Sequence, residues 1–141
     1  MRRHLVSAAL AGVLLSGCST GPASPAQLAG TQWHLVQLDS SDDAIGTVKP
    51  DDPAKYEMRL GTDGTAAFRL DCNRASGPWQ TPGAGQIAFG AMAMTRAMCA
   101  PGSLDMRIAR ELGYVRTYLL EDGKLRLILM ADGGSQLWAP Q

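Results

Sequence analysis

Apolar and polar residues alternate with period two over several short stretches of this chain, the pattern of strands with one buried face. The clearest is Tyr56 to Leu60: Tyr56, Met58 and Leu60 fall on one face, Glu57 and Arg59 on the other. Thr65 to Asp71 repeats it, with Ala66, Phe68 and Leu70 inward and Arg69 outward. Thr62-Asp63-Gly64 between the two runs supplies the turn chemistry of a hairpin. Thr31 to Leu38 predicts a first strand, with Trp33 and Leu35 in alternation. Further strands are predicted at Gln86 to Gly90, Val115 to Leu120, Lys124 to Met130 and Gln136 to Ala139. Glu121-Asp122-Gly123 and Asp132-Gly133-Gly134 are turns between them. After Cys72-Asn73 the chain passes Ser76-Gly77 and Trp79 to a Pro82-Gly83 turn, with no element assigned there.

One stretch switches to the helical period. Ser103 is placed to cap a helix reaching about Leu112, with Leu104, Ile108 and Leu112 on one face and Arg107 paired with Glu111 on another. Gly113 ends it. Asp39 to Ala54 is charged and rich in breakers, so it reads as a loop. Its Asp42, Asp43, Asp51 and Asp52 lack the alternating spacing and closing Glu of a calcium loop. The tally is about eight short antiparallel strands and one helix, an α+β, mainly β class. Strands this short and numerous close best as a barrel-like wrapped sheet, which hides their edges.

The N-terminus carries a different pattern. Arg2 and Arg3 precede an uncharged apolar run from Leu5 to Leu15, too short to span a bilayer core of roughly 30 Å. Leu15-Ser16-Gly17-Cys18 then looks like the lipobox of a bacterial lipoprotein. Small residues let a peptidase reach extended backbone, and the Cys18 thiol accepts a diacylglyceryl group. This divides the chain into a signal peptide (1–17), a lipidated tether (18–29) and a folded domain (30–141). Two or more acyl chains, palmitate among them, anchor stably where one does not. Ser19 rather than Asp after Cys18 resembles the pattern sorted to the outer membrane, facing the periplasm.

That compartment changes how the cysteines read. With Cys18 lipidated, Cys72 and Cys99 remain, and one disulfide is the natural reading in an oxidising envelope. It is worth roughly 3–4 kcal/mol in the chain-entropy model. A metal pair or two free thiols are the alternatives. Zinc needs about four ligands, and His34 is the one histidine after the signal segment. Lys and Arg number 13 against 13 Asp and Glu. Removing Arg2 and Arg3 leaves a slightly acidic domain, which excludes the basic footprint of nucleic-acid binding. Hydrophobic residues make up 45 % of the chain, which excludes wholesale disorder.

Four elements in order resemble the META domain, the HslJ-like family of small extracytoplasmic bacterial domains. Leu28-Ala29-Gly30-Thr31-Gln32-Trp33 is similar to its opening motif. Cys72-Asn73 with Gly77 and Trp79 is similar to its cysteine-asparagine motif, and Thr95-Arg96-Ala97-Met98-Cys99 to its threonine-to-cysteine motif. The closing Lys124-Leu125-Arg126-Leu127 and Leu137-Trp138 also fit. The resemblance implies a small antiparallel barrel-like sheet with one helix and no established enzymatic activity. It implies loose links to envelope stress, antibiotic tolerance and secretion. It also implies structural roles for Gly30, Thr31, Trp33, Asn73, Gly77, Thr95 and Met98. On that reading Asn73 suits a turn after a bridged cysteine, Gly77 a bulge or tight bend, and Trp33 the core.

Little in the chain points to chemistry. Met92, Met94 and Met98 near Cys99 are soft ligands for Cu(I), but methionine more often fills irregular core gaps. His34 in a strand beside Trp33 is a poor base for a hydrolytic triad, and Glu57, Glu111 and Glu121 show no paired-carboxylate spacing. The expectation is therefore a non-catalytic protein without cofactor or metal. Its expected partners are the membrane, through Cys18, and an envelope component met by its outer surface. A lipocalin-like cup for an apolar ligand and a lysozyme-inhibitor-like role are the alternatives.

Overall fold

Residues 27–141 are described by the computed structural model. The signal segment, Cys18 and the tether as far as Ala26 lie outside the described residues. Ten strands and one helix follow in chain order: β1 (Thr31–Asp39), β2 (Thr47–Val48), β3 (Tyr56–Leu60), β4 (Thr65–Leu70), β5 (Asn73–Gln80), β6 (Ala88–Phe89), β7 (Ala93–Met94), α1 (Asp105–Leu112), β8 (Val115–Glu121), β9 (Lys124–Leu129) and β10 (Ser135–Pro140).

Every strand pair is antiparallel. The sheet runs β6-β5-β4-β3-β1-β10-β9-β8, with β2 beside β1 and β7 beside β5. Its two ends approach each other: the Ile87 N–H donates to Arg116 O at 3.1 Å, and the Tyr118 N–H to Gly85 O at 2.9 Å. A bridge at Gln86 and Thr117 joins the same rim. The sheet is thus a nearly closed barrel, the mainly β architecture expected from the alternation.

The β3–β4 hairpin forms in the register that the sequence requires, with Tyr56 opposite Leu70 and Met58 opposite Phe68. Its turn uses Gly64 at φ +79° and an Asp63 carboxylate that accepts from the Thr65 N–H. Two bulges interrupt the alternation elsewhere. In β1 the register shifts between Leu35 and Gln37, so the inward residues are Trp33, Leu35 and then Leu38. In β8 a shift between Val115 and Thr117 puts Val115 and Tyr118 inward together. One extra residue reverses which face each later side chain takes.

The barrel interior is filled. Trp33, Tyr56, Met58, Phe68, Leu127 and Trp138 are all buried there. Phe68 meets Phe89 and Trp138 edge-on, with centroids 5.7 and 6.5 Å apart. Leu28, in the stretch read as tether, is fully buried in the same core.

Helix α1 is too short to persist by itself and is held by what it covers. Ile108 and Leu112 are buried. The Leu104 N–H donates to the Tyr56 hydroxyl at 3.0 Å. Glu111 accepts from Arg107 at 2.7 Å and from the buried Gln136 amide at 3.0 Å. Its ends differ from the expectation. The N-cap position falls at Leu104, one residue on, with the Ser103 hydroxyl accepting from the Asp105 N–H at 3.4 Å, and Gly113 closes the helix in right-handed backbone.

The loop read between Asp39 and Ala54 is more structured than its composition suggests. Asp39 belongs to β1, and Thr47–Val48 pair with its end. Asp52 caps a short 3-10 turn, Pro53–Lys55. The Asp39 carboxylate accepts from Gln37, Thr47, Arg126 and Ser135, tying β1 to β2, β9 and β10. Burial alone raises the Asp39 pKa; the hydrogen bonds from Gln37, Thr47 and Arg126, with the Arg126 charge, outweigh it and hold the carboxyl below its usual range.

Candidate functional site

The residues singled out by the family resemblance gather in two places. At the first, Gly30, Thr31 and Trp33 form the entry to β1. The Gly30 N–H donates to Leu60 O at 2.6 Å, the Thr31 hydroxyl to Leu28 O, and the Trp33 indole to the Thr31 hydroxyl at 2.7 Å. This ladder seats the indole in the core.

The second gathering crosses the end of β5. Cys72 and Cys99 form a disulfide, which settles the open cysteine alternatives. Asn73 beside it is 1 % exposed, and its amide is saturated. Its Nδ2 donates to Asp105 Oδ2 at 2.8 Å and to Ala97 O at 2.9 Å, and lies 3.4 Å from Cys99 Sγ. Its Oδ1 accepts from the Thr95 hydroxyl at 2.9 Å and the Ala97 N–H at 2.8 Å. Asn73 therefore does not serve a local turn as expected. The left-handed residue there is Asp71, at φ +57°, and Asn73 bonds across more than twenty residues to hold the 95–99 strap and α1.

Gly77 also differs from its expected role. The β4–β5 register runs through it without a shift, so it is no bulge. A Cβ there would sit 2.5 Å from Ala91 O and 2.7 Å from Met92 Sδ. It is glycine because the 91–92 backbone crosses it. Met98, by contrast, is 99 % exposed and fills no core. Met92 and Met94 lean on the core, and the Cys99 sulfur is in the disulfide. Among the described residues, no group of three or more His, Cys, Asp or Glu side chains is arranged to hold a metal.

Neither gathering leaves an unused group for a ligand. Among the described residues every buried side-chain polar atom has a partner. A smaller hollow of about 430 Å³ lies against Gly30, Thr31 and Trp33, and on the outer wall β3, β4, β5 and β7 carry a groove of about 580 Å³. The register sets its floor. Arg59, Ala67, Ser76 and Ala93 lie in one row across the four strands. Glu57, Arg69 and Arg74 form the next row, about 7 Å along the strands. Arg69 and Arg74 stand directly opposite each other, and like charges so placed repel. No described carboxylate lies within ion-pair distance of Arg59, Arg69 or Arg74; Glu57 accepts instead from Gln141 at 3.1 Å. The groove's floor is the small outward side chains of Ala67, Ser76 and Ala93, while Met58 and Phe68 turn into the barrel. Sequence reasoning missed this groove. Its one signal was Ala67 on an outward position where a strand usually carries a larger polar side chain.

A small filled antiparallel barrel, strapped by one disulfide and grooved on its outer wall, is the class that fold and site define. The chain matches the META domain family model over residues 26–139, and it belongs to that family. Among solved structures, the fold is similar to a Burkholderia xenovorans protein determined by NMR, at TM-score 0.69 and 22% identity, covering 100% of this chain and 99% of that one. A DUF4847 family protein from Bacteroides vulgatus, known from a crystal structure, is similar at TM-score 0.58 and 14% identity, over 79% of this chain and 93% of that one. A further NMR structure is similar at TM-score 0.63 and 24% identity, over 83% and 94%. At these identities the likeness shows the fold alone. Among curated proteins no sequence match is found.

Proposed function

We propose that this META-domain protein is a lipid-anchored, non-catalytic binding module of the bacterial envelope. It is attached through Cys18 to the outer membrane, faces the periplasm, and engages an envelope component through the groove on its outer wall. The run ending in Leu15-Ser16-Gly17-Cys18 supports the anchor. The observation that carries the binding role is the contrast between a filled interior and an outer groove floored by small side chains and rimmed by unpaired arginines. With Trp33, Phe68 and Trp138 packed inside, an internal lipocalin-like cup has no support. A binding role of this kind is compatible with a part in envelope stress tolerance.

The test is photo-crosslinking in cells from a reactive side chain placed at Ser76, in the groove, and at Leu119, exposed on β8. Adducts are expected from Ser76 and not from Leu119. They should also be lost when Cys18→Ala removes the anchor. Equal labelling at both positions would sink the groove as the binding face. Stoichiometric inhibition of lysozyme that survives blocking the groove would replace it with the inhibitor reading.

A further inference from the structure

The groove combines features that seldom share one sheet face. Its centre is a row of small side chains, Ala67, Ser76 and Ala93. Beside that row stand Arg69 and Arg74, opposed in register and unpaired, with Arg59 at the row's end. Arginine stays charged at any ordinary pH, and two guanidinium groups within reach of each other are stabilised by one anion that bridges both. Phosphate oxygens suit that fork geometry. Glu57, the acidic residue of the groove, is engaged by Gln141 and lies beyond Arg69 from Arg74.

The floor discriminates among anions. A shallow trough of Ala67, Ser76 and Ala93 across three strands, about 10 Å at the usual strand spacing, adds nothing for a bare inorganic ion. It suits an unbranched apolar chain. An extended peptide would bind a sheet through a free edge. Here β3 and β4 are interior strands, and β5 is edged by β7 at Ala75–Ser76 and by β6 at Trp79–Gln80. The face offers side chains and apolar surface, not unpaired backbone.

Position points the same way. The described fold begins at Gln27, and the Gly30 N–H is bonded to Leu60 O, next to Arg59 on the groove's rim. The stretch from Cys18 to Gln27 spans about 30 Å at most when fully extended. On the anchored reading, the groove lies within reach of the leaflet that holds the lipid.

We propose that the groove binds a single phospholipid-type amphiphile with an anionic phosphate headgroup, its phosphate between Arg69 and Arg74 and one acyl chain over Ala67, Ser76 and Ala93. This rests on the proposed role of the groove as the binding face.

The test uses the full chain anchored in phosphatidylcholine nanodiscs, titrated with soluble dihexanoyl phosphatidate and followed by ³¹P NMR against empty discs. Saturable one-to-one binding is expected. Inorganic phosphate and dihexanoyl phosphatidylcholine should each bind about 10-fold more weakly or worse, lacking the chain or the net charge. Arg69→Ala with Arg74→Ala should weaken phosphatidate about 30-fold or more, because charge-assisted bonds are lost. Ala67→Phe should block the trough with both arginines intact. These side chains are exposed, so unchanged near-UV circular dichroism serves as the folding control.

Absence of saturable phosphatidate binding overturns the proposal. So does equal affinity for inorganic phosphate, which marks a bare anion site. Indifference to the double arginine variant places any binding elsewhere, and tighter binding of an oligoglutamate peptide assigns the groove to an acidic protein. If phosphatidate fails while Ala67→Phe still abolishes the Ser76 crosslink in cells, the ligand class falls and the binding face stands. If that crosslink persists, both fall.

Discussion

Asn73 and Arg74 are neighbours on β5, yet they stand for opposite uses of polarity. Asn73 points inward, is buried, and has its amide engaged by Thr95, Ala97 and Asp105. Arg74 points outward, faces Arg69, and has no carboxylate in reach. The strand pleat alone separates them. Inside, an unpaired polar group costs about 1–3 kcal/mol, so the interior accepts Asn73 only with its partners in place. Outside, water solvates the guanidinium, so Arg74 stands free at little cost. The buried network fixes where the strap and helix lie; the exposed pair is left to something else.

Substitutions should divide along that line. Cys72→Ser with Cys99→Ser is expected to cost about 3–4 kcal/mol, seen as a lowered urea midpoint. Asn73→Ala should cost about 2–4 kcal/mol, since it strands the Asp105 carboxylate and the Ala97 N–H together. A loss below about 0.5 kcal/mol would break the contrast, because the network would then be dispensable. Gly77→Ala should cost about 1–3 kcal/mol by pushing the 91–92 crossing off the sheet.

Asp39, half-buried in its own hydrogen-bond network, gives a pH-dependent counterpart. Burial raises its pKa, but hydrogen bonds from Gln37, Thr47 and Arg126 outweigh it, and the folded value lies below the ordinary 3.8. Its stabilisation is therefore complete above about pH 4 and is lost as the pH falls through the lowered folded pKa. Asp39→Asn should flatten that part of the acid limb in urea melts between pH 7 and 2. An unchanged limb would remove Asp39 as its source.

The smallest effect is expected at the arginines. Arg69→Ala or Arg74→Ala should change stability by no more than about 0.5 kcal/mol, with relief of repulsion favouring stabilisation. A loss above about 1 kcal/mol would show that the pair serves the fold.

Much of the architecture was legible because it is written locally. The β3–β4 hairpin follows from alternation on both sides of Thr62-Asp63-Gly64. The face of α1 follows from Ile108, Leu112 and the Arg107–Glu111 pair. β5 was not legible: Asn73-Arg74-Ala75-Ser76-Gly77-Pro78 contains poor strand formers, and it becomes a strand through its pairing with β4. Pro78 is tolerated because it falls between the two short partners on the far edge, β7 at 75–76 and β6 at 79–80. The bulges in β1 and β8 and the two-residue strands β2 and β7 left no periodic signal, whereas β6 lies within the strand predicted from Gln86 to Gly90. The Asn73 network was hidden for the same reason, since its partners lie more than twenty residues away.

The sequence by itself determined the mainly β class, the hairpin, the helix and the cysteine pair, because each depends on near neighbours or on residue type. The same local reading marks Leu15 to Cys18 as an expected lipid attachment site. Tertiary structure alone decided that Asn73 clamps a strap rather than shaping a turn. It also decided that Arg59, Ala67, Arg69, Arg74, Ser76 and Ala93 meet in one groove. Strand register brings distant residues into a row, and register is set by how the whole barrel packs.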